Sequence, residues 1–365
     1  MTNQKLYEIA LTLVPGIGVV NGKKLVAYCG GAEAVFCEKK DALTHVSGIT
    51  DAIVQNIGSK QVMLRAEQEL KFIEQNGIKP LFYLDKEYPK RLQHCHDSPM
   101  MLYYKGNADL NADKVVGVVG TRNITDYGRY VAEKIIEDLS SDNILIISGL
   151  AYGVDATAHK SALKYDLATV GVLGHGMQTI YPAENRKLSL KMLEKGGVLT
   201  EFISGTKPDK ENFPKRNRIV SGMVDCLLVV ESALKGGAMI TAEIANSYDR
   251  EVFAVPGRVG DIYSEGCNQL IKTNKANLVT NATDIRYVMR WDVDTKIVAK
   301  QMRLFRDFSD EEKIVMGVFE NNNVVHLDDI IVGTDLSPSK IASVLLSLEF
   351  DGVLTALPGK RYQKL

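Results

Sequence analysis

Several features that would assign a function class directly are missing from this sequence of 365 residues. No two of its cysteines form a CxxC pair, which favours reduced, buried thiols in a cytoplasmic setting (Cys29, Cys37, Cys95, Cys226 and Cys267). The N-terminus lacks the basic stretch and long apolar core of a signal peptide. No run approaches the roughly 20 apolar residues of a membrane span. We therefore expect a soluble cytoplasmic protein with no membrane partner.

The overall charge gives little indication of a partner. The formal net charge is −1, so no general basic excess points to nucleic acid. Any anion site must come from local clustering of cations. The length is sufficient for two or three domains, each with its own apolar core.

Residues 1–76 show helical periods that are interrupted by glycine turns. Two turns, PGIG at 15–18 and SGIT at 47–50, lie between short helices and resemble tandem helix-hairpin-helix motifs. In such motifs the backbone N–H groups bind DNA phosphates without reading sequence. The alternative is a small helical (SAM-like) bundle whose glycines only permit tight turns. The segment has no excess of basic residues, and both alternatives stay open. A helix over 60–76 should end at Asn76-Gly77.

Residues 78–290 alternate short apolar runs with helix-like stretches of about ten residues. The runs predict strands at 115–119, 144–147, 169–173, 198–200, 227–230, 252–255 and 278–280. Near-continuous apolar strands that alternate with helices indicate a parallel sheet covered on both faces. The predicted fold class is therefore α/β, with a Rossmann-like, doubly wound parallel sheet. In such sheets, ligands bind beyond the carboxyl ends of the strands.

Residues 291–306 are polar and mixed, and we interpret them as a linker. Residues 307–365 predict helices at 309–320 and 327–332, and a third that begins at Ser337-Pro338. A hairpin turning at Pro358-Gly359 follows. Three helices and a hairpin describe a winged helix. Its third helix offers only Lys340 as a cation, which favours docking over duplex binding.

The loops after the predicted strands contain the candidate site residues. In the first, GVVGTRNITDYG (117–128), Gly120 lets the backbone approach an anion, the following helix N-terminus supplies N–H groups, and Arg122 adds donors. The loop is not GxGxxG, which argues against a standard dinucleotide site. In the second, SGLAYGVDATAH (148–159), Asp155 is expected to cap a helix and His159 to be packed inside the protein.

The third loop, at 203–222, is a strong local positive patch. Between 207 and 218 it has five basic and two acidic residues around Phe213. Cations that follow a backbone and a ring that stacks on a base suit single-stranded nucleic acid. The alternative is a solvated loop with Phe213 tucked into the core. The RNR stretch at 216–218 should begin a helix. Cations at a helix N-terminus are unfavourable for the macrodipole, and an anionic partner would offset their charge.

The fourth loop, ESALKGGAMITAE (231–243), places Gly236-Gly237 at the start of another helix, where an anion can bind. The glycine-rich stretch 256–271 is expected to border the same crevice. HCHD at 94–97 lacks further grouped ligands, and we do not interpret it as a metal site. No residue set supplies a nucleophile with a base and an orienting partner. We expect no catalytic residue, no metal and no cofactor.

Together these loops resemble the Smf/DprA family of DNA-processing proteins (DNA-processing protein A). The motifs that carry the resemblance occur in the family's order: VGTR (119–122), SGLAYGVDATAH (148–159), YP (181–182), FPKRNRIVSG (213–222), ESALKGGAMITAE (231–243), FAVPG (253–257) and GCNQLI (266–271). The flanking segments also match the family layout. The resemblance implies a homodimer that binds single-stranded DNA, protects it during natural transformation and loads a RecA-type recombinase onto it.

Carried over by position, the resemblance implies DNA contacts in all four loops. The residues expected to bind DNA are Gly120, Thr121, Arg122, Ser148, Gly149, Lys207, Phe213, Lys215, Arg216, Arg218, Gly236 and Gly237. Two motifs depart from the family pattern. Tyr152 stands where arginine is frequent, and GGAMIT replaces SGSLIT, which puts side-chain contacts from that loop in question.

Two other functions are compatible with parts of the sequence. A nucleotide hydrolase of the Lonely-guy phosphoribohydrolase type carries PGGxGTxxE, and GGAMITAE keeps the glycine pair and places Glu243 at the same offset. The intervening Gly-Thr and the preceding proline are missing. A nucleotide sensor without a DNA role is the second alternative, but the basic loop and the flanking domains argue against it.

Overall fold

A computed structural model describes residues 3–291, 308–320 and 322–365. The N-terminal helices are α1 (Asn3–Leu13), α2 (Val19–Cys29), α3 (Ala32–Cys37), α4 (Lys40–Thr44), α5 (Asp51–Ile57) and α6 (Lys60–Asn76). As predicted, α6 ends where Gly77 adopts a left-handed conformation, with φ of 60°. The tight turns also need glycine, since Gly16 and Gly48 have φ of 88° and 92°.

Each glycine turn of the N-terminal unit accepts a hydrogen bond from an asparagine of another helix. The Asn21 amide donates to the carbonyl of Gly48 (3.1 Å), and the Asn56 amide donates to the carbonyl of Pro15 (3.0 Å). Buried Glu69 then joins this unit to the sheet, because its carboxylate accepts from the backbone N–H of Ser204 (2.9 Å). The helical unit therefore supports the chain just before the basic loop.

A nine-stranded sheet follows, and most of its strands were predicted. The strands are β1 (Lys79–Phe82), β2 (Met101–Gly106), β3 (Val115–Val119), β4 (Leu145–Ser148), β5 (Thr169–Val172), β6 (Gly196–Thr200), β7 (Cys226–Val229), β8 (Glu251–Ala254) and β9 (Asn277–Leu278), in the order β1-β2-β6-β5-β4-β3-β7-β8-β9. The strands from β3 to β9 pair in parallel. The predicted Rossmann-like fold is confirmed. However, β1 and β2 add an antiparallel edge that the sequence analysis did not predict.

Helices cover both faces of this sheet, as the apolar strands require. They are α7 (Lys90–Gln93), α8 (Asp126–Leu139), α9 (Val154–Lys164), α10 (Arg186–Lys195), α11 (Asn212–Met223), α12 (Gly237–Ser247), α13 (Glu265–Lys272) and α14 (Ala282–Met289). Alternate residues of β3 enter opposite cores: Val115 and Val119 pack with α11 and α12, whereas Val116 and Val118 pack with α8 and α9. In the described ranges, no helix is both long and apolar enough to cross a membrane.

The C-terminal unit is the predicted winged helix. It consists of α15 (Asp310–Gly317), β10 (Val324–His326), α16 (Leu327–Val332), α17 (Pro338–Phe350), β11 (Leu354–Leu357) and β12 (Arg361–Lys364). The hairpin turns at Pro358-Gly359 as expected, and Gly359 has φ of 79°. Apart from residue 291, the predicted linker at 291–306 lies outside the described residues.

The winged helix packs against the amino ends of the parallel strands. Arg361 of the hairpin pairs with Asp225, which directly precedes β7 (3.0 Å). Arg91 holds the same carboxylate with two bonds of 2.8 and 2.9 Å. His326 stacks on His94, with ring centroids 4.0 Å apart. The carboxyl ends of the strands, where a ligand is expected, lie at the opposite edge.

Candidate functional site

A crevice opens at the carboxyl edge of the sheet, where the strand order reverses. From β3 the chain moves through β4 and β5 to β6 on one side, and β7, β8 and β9 lie on the other. The loops after β3 and β7 meet at this point, because the N–H of Thr121 donates to the carbonyl of Glu231 (2.7 Å). The cavity here has a volume of about 580 Å³. The structure thus places a ligand-sized crevice at the topological switch point.

The four loops that were singled out in the sequence converge on this crevice. Its lining includes eight of the residues predicted to contact DNA: Gly120, Thr121, Arg122, Gly149, Phe213, Arg216, Gly236 and Gly237. Ser148, Lys207, Lys215 and Arg218 do not line it. Tyr263, from the glycine-rich stretch 256–271, also borders the crevice, as expected.

The N-terminus of α8 is already occupied by a carboxylate. Glu231, which is buried, accepts from the backbone N–H of Thr125 (2.9 Å) and from its hydroxyl (2.5 Å). The Thr125 oxygen in turn accepts from the N–H of Gly128 (3.1 Å). A buried carboxylate therefore lies beside the start of α8 and opposes an anion there, and the predicted phosphate site at this terminus stays a prediction. The sequence signal was the glutamate two residues after the end of β7.

The N-terminus of α12 is open instead. Gly236 and Gly237 begin this helix as predicted, and the crevice is lined by both and by Ala238. Within the described part of the chain, the N–H groups of Gly237 and Ala238 have no acceptor. A Cβ added at Gly237 would meet no atom within 4 Å. An eleven-residue helix with free N–H groups and a bare backbone at its start is a suitable anion site.

Arg122 faces this terminus from the first loop as an exposed cation. Its guanidinium carbon lies 5.5 Å from the ring centroid of Phe213. The Phe213 ring lies 6.3 Å from that of Tyr181, centroid to centroid. Among the described residues, no carboxylate forms an ion pair with Arg122. An exposed cation and two aromatic rings therefore line the crevice, a combination that suits single-strand binding.

Arg216, in contrast, is part of the floor of the crevice. It is only 6% exposed, and its Nη1 donates to the carbonyl of Val172 (2.8 Å). Burial lowers the pKa of Arg216, and the nearby Asp155 carboxylate works in the opposite direction. Since α11 begins at Asn212, the RNR stretch lies one turn inside the helix and does not open it, contrary to the sequence prediction.

Two further predicted contacts are engaged within the protein. Ser148 is fully buried, and its hydroxyl donates to the carbonyl of Val118 (2.6 Å), which joins β4 to β3. Arg218 forms an ion pair with Glu201 and donates to the carbonyl of Asp97 (2.7 Å). In this structure both side chains stabilise the sheet and its helices, and neither reaches the crevice.

Lys207 and Lys215 are exposed residues outside the crevice. Lys210 of the same loop lines it, although it was not among the predicted contacts. The charge count of the loop identified the region, but it could not tell which lysine points inwards. That direction depends on how the loop enters α11.

The second loop shows how the floor is constructed. Asp155 does not cap α9, contrary to expectation: the cap position is Gly153, and the Asp155 carboxylate accepts from the N–H of Ala151 (3.1 Å). His159 is buried as predicted, with its ring nitrogens near the carbonyl of Gly149 (2.6 Å) and the hydroxyl of Thr169 (2.7 Å). Burial lowers the pKa of His159. Both side chains therefore hold the loop after β4 in place.

His94, from the HCHD stretch, lies near two possible ligands, His326 and Asp328. The two rings are stacked with an angle of 15° between their planes. Lone pairs of parallel rings run side by side and do not converge on one point. The Nδ1 of His326 also accepts from the N–H of Asp328 (3.2 Å). This geometry does not suit a metal ion.

Comparisons with protein-family models and known proteins agree with one another. A family model described as DNA recombination-mediator protein A matches residues 79–290, and a DprA winged helix domain matches residues 309–360. The protein Smf of Synechocystis is 31% identical over 396 residues, which cover 99% of each chain. The DNA processing protein DprA of Streptococcus pneumoniae is 40% identical over 202 residues, which cover 55% of this chain and 71% of the relative.

Two solved structures share this fold. The DprA structure from Streptococcus pneumoniae matches with a TM-score of 0.67 and 32% identity, over 79% of this chain and 98% of the other. A Helicobacter pylori DNA processing protein A, whose description concerns a single-stranded DNA binding mode, matches with a TM-score of 0.54 and 28% identity. That match covers 59% of this chain and 96% of the other.

Proposed function

The chain belongs to the DNA recombination-mediator protein A (Smf/DprA) family, and from this premise we propose that its crevice binds single-stranded DNA without catalysing a reaction. Phosphates lie at the N-terminus of α12 and beside Arg122, and a base stacks on Phe213 or Tyr181. Backbone N–H groups and π-faces do not discriminate between sequences. Binding is therefore sequence-tolerant and salt-sensitive.

The observation that carries this proposal is the open N-terminus of α12 opposite Arg122. Both the helix start and Arg122 line the crevice. Among the described residues, no acceptor binds the first N–H groups of α12 and no carboxylate pairs with Arg122. At the start of α8, by contrast, a carboxylate of the protein itself, that of Glu231, accepts from the N–H of Thr125. The unfilled donors of α12 thus support an external anion at this place.

The phosphoribohydrolase alternative receives no support from the geometry. Glu243, which matches the last position of that motif, lies on the outer face of α12 with its side chain 62% exposed. Its nearest cation is Lys275, at 3.7 Å, and it does not line the crevice. A glutamate that points away from the bound nucleotide cannot act on it.

The flanking units show how their glycine turns and their candidate recognition helix are held within the protein. The amides of Asn21 and Asn56 bind carbonyl oxygens of the two glycine turns, so these bonds do not decide between the helix-hairpin-helix and bundle alternatives. Lys340 of α17 pairs with Glu311 (2.7 Å), so the cation of the candidate recognition helix is engaged. We assign these units to support and docking. With the family resemblance, they fit a cytoplasmic homodimer that serves natural transformation and passes its strand to a RecA-type recombinase.

Fluorescence anisotropy of a labelled dT oligomer tests the proposal. Wild type and Arg122→Ala are titrated at two salt concentrations with duplex as competitor, and Lys86→Ala serves as a control, because Lys86 is exposed and does not line the crevice. We expect tight, single-strand-selective binding that Arg122→Ala weakens about tenfold and Lys86→Ala leaves unchanged. If wild type does not bind, or binds as well without Arg122, the DNA site is not in this crevice.

A further inference from the structure

A second, larger concavity begins at the mouth of the crevice. It is a groove of about 1270 Å³ between α9 and α10, and Arg122 and Tyr152 stand at its entrance. Arg122 also lines the crevice, so the two cavities adjoin at this exposed side chain. No loop motif pointed to the groove, because its cations lie on helix faces and are separated along the sequence.

This α9–α10 groove is basic in a protein whose net charge is −1. Its lining has seven lysine and arginine side chains against three carboxylates. Two of the lysines are paired, Lys164 with Glu133 and Lys195 with Asp166. Among the described residues, Lys160, Lys187 and Lys191 have no carboxylate partner and are exposed. The groove therefore carries unneutralised positive charge.

The free lysines form two walls. Lys160 projects from α9, and Lys187 and Lys191 project from α10. Lys187 and Lys191 are four residues apart, so they lie on one face of the helix about 6 Å apart along its axis. A row of cations on both sides of a groove suits a flexible polyanion that runs along it.

Tyr152 gives the entrance an aromatic side chain. It is 43% exposed, and its hydroxyl donates to Glu184 (2.5 Å), which fixes the ring beside the path from Arg122 into the groove. The ring replaces the arginine that is frequent in the family. It offers a stacking face between the crevice and the lysines.

From this adjacency and the free lysines of the groove, we propose that single-stranded DNA leaving the crevice over Arg122 passes Tyr152 and continues along the α9–α10 groove between Lys160 and Lys191. The inference rests on the proposed function and extends it, since one protomer then covers a longer strand than the crevice alone holds. Short oligomers occupy the crevice, and only longer ones reach the lysines.

The test compares oligomer lengths. Labelled dT oligomers of about 6 and about 20 nucleotides bracket the usual site size of about 4–16 nucleotides. The variant Lys160→Ala/Lys191→Ala removes one cation from each wall. The control Lys86→Ala/Lys272→Ala removes the same charge at exposed positions that line neither the groove nor the crevice.

We expect the groove variant to bind the long oligomer about tenfold more weakly, with a salt slope shallower by about 1.4. Its binding of the short oligomer stays within about twofold of wild type, which also shows that the variant is folded. Equal affinity of groove variant and wild type for the long oligomer overturns the inference, as does an equal loss for both lengths. Failure of wild type to bind either length removes the proposed function as well.

Discussion

The guanidinium of Arg216 lies directly beneath the backbone of Gly149. A Cβ added at Gly149 would be 1.9 Å from the Arg216 Nη1 and 2.3 Å from the Asp155 Oδ2. Arg216 thus packs against Gly149, which follows β4, and donates to the carbonyl of Val172 at the end of β5. These contacts form the floor of the crevice. The arginine that the family motif offers as a DNA contact is, in this structure, a structural residue of the crevice.

Arg216→Ala is therefore expected to lower stability first. Its loss leaves the carbonyl of Val172 without a donor and the buried Asp155 without its neighbouring cation, at a cost of about 2–4 kcal/mol. Thermal unfolding measures the loss. Lys215→Ala is the matched control, since this neighbouring lysine is exposed and its removal leaves Tm unchanged. Equal Tm values for the two variants contradict a structural role for Arg216.

Two glycines at helix starts should respond oppositely to alanine. At Gly128 a Cβ would lie 2.4 Å from the carboxyl carbon of Glu231, so Gly128→Ala displaces that buried group and lowers Tm. At Gly237 the space is open, so Gly237→Ala keeps the stability of wild type. Its methyl group nevertheless stands where a phosphate approaches α12, and we expect affinity for dT oligomers to fall several-fold. Unchanged affinity of Gly237→Ala places the phosphate elsewhere.

Tyr152→Arg restores the cation that is frequent in the family at this position. An additional cation at the entrance of the α9–α10 groove should tighten binding of single strands and steepen the salt slope by about 0.7. Tyr152→Ala is the matched variant, and it removes the stacking face without adding charge. If Tyr152→Arg binds with the salt dependence of wild type, the strand does not pass this residue.

Docking of the winged helix is expected to weaken in mild acid. Burial, and then the neighbouring His94 imidazole, lower the pKa of His326 to about 4. Burial also lowers the pKa of His94. Both rings favour the neutral form when the unit is docked, whereas a free histidine has a pKa of about 6.5. The docked state binds fewer protons, so its stability is complete above about 6.5 and falls as pH drops towards 4.

Charged neighbours act on this histidine pair in both directions. Asp328 and Asp329 favour protonation, whereas Arg250 opposes it at both rings and Arg361 opposes it at His326. The net pKa shifts are downward, so burial and the cations prevail over the carboxylates.

The single tryptophan of the chain, Trp291, reports on this interface, since it lines the cleft beside Arg361 and Leu357. We expect Trp291 fluorescence of wild type to change between about pH 6.5 and pH 4. His94→Gln/His326→Gln removes the titrating pair and should flatten this change. A curve that is identical in the variant shows that other groups control the docking.

The sequence predicted the parallel sheet well because each buried strand is an apolar run. It did not predict β1 and β2, since these two strands pair antiparallel at one edge and the strand-helix alternation starts only after them. The converging loops were found because strand ends meet at one edge of a parallel sheet. Which side chains in them are free depended on contacts between distant segments, as for Glu231 and Thr125.

The burial of Arg216 could have been predicted from helix geometry. It lies three, four and seven residues before Ile219, Val220 and Met223, all of which are buried, and this spacing marks the inner face of α11. Counting basic residues in the loop concealed that pattern. Lys215, one residue earlier, falls on the outer face. The periodicity of α11 therefore separates these two cations where composition does not.

The winged helix and the crevice occupy opposite edges of one rigid sheet. Arg361 reaches Asp225 at the start of β7, while Glu231 follows the end of the same strand. Under the proposed function, a macromolecule that docks on the C-terminal unit and a strand that lies in the crevice therefore bind at opposite ends of the same strands. Binding of the one then leaves the other site accessible.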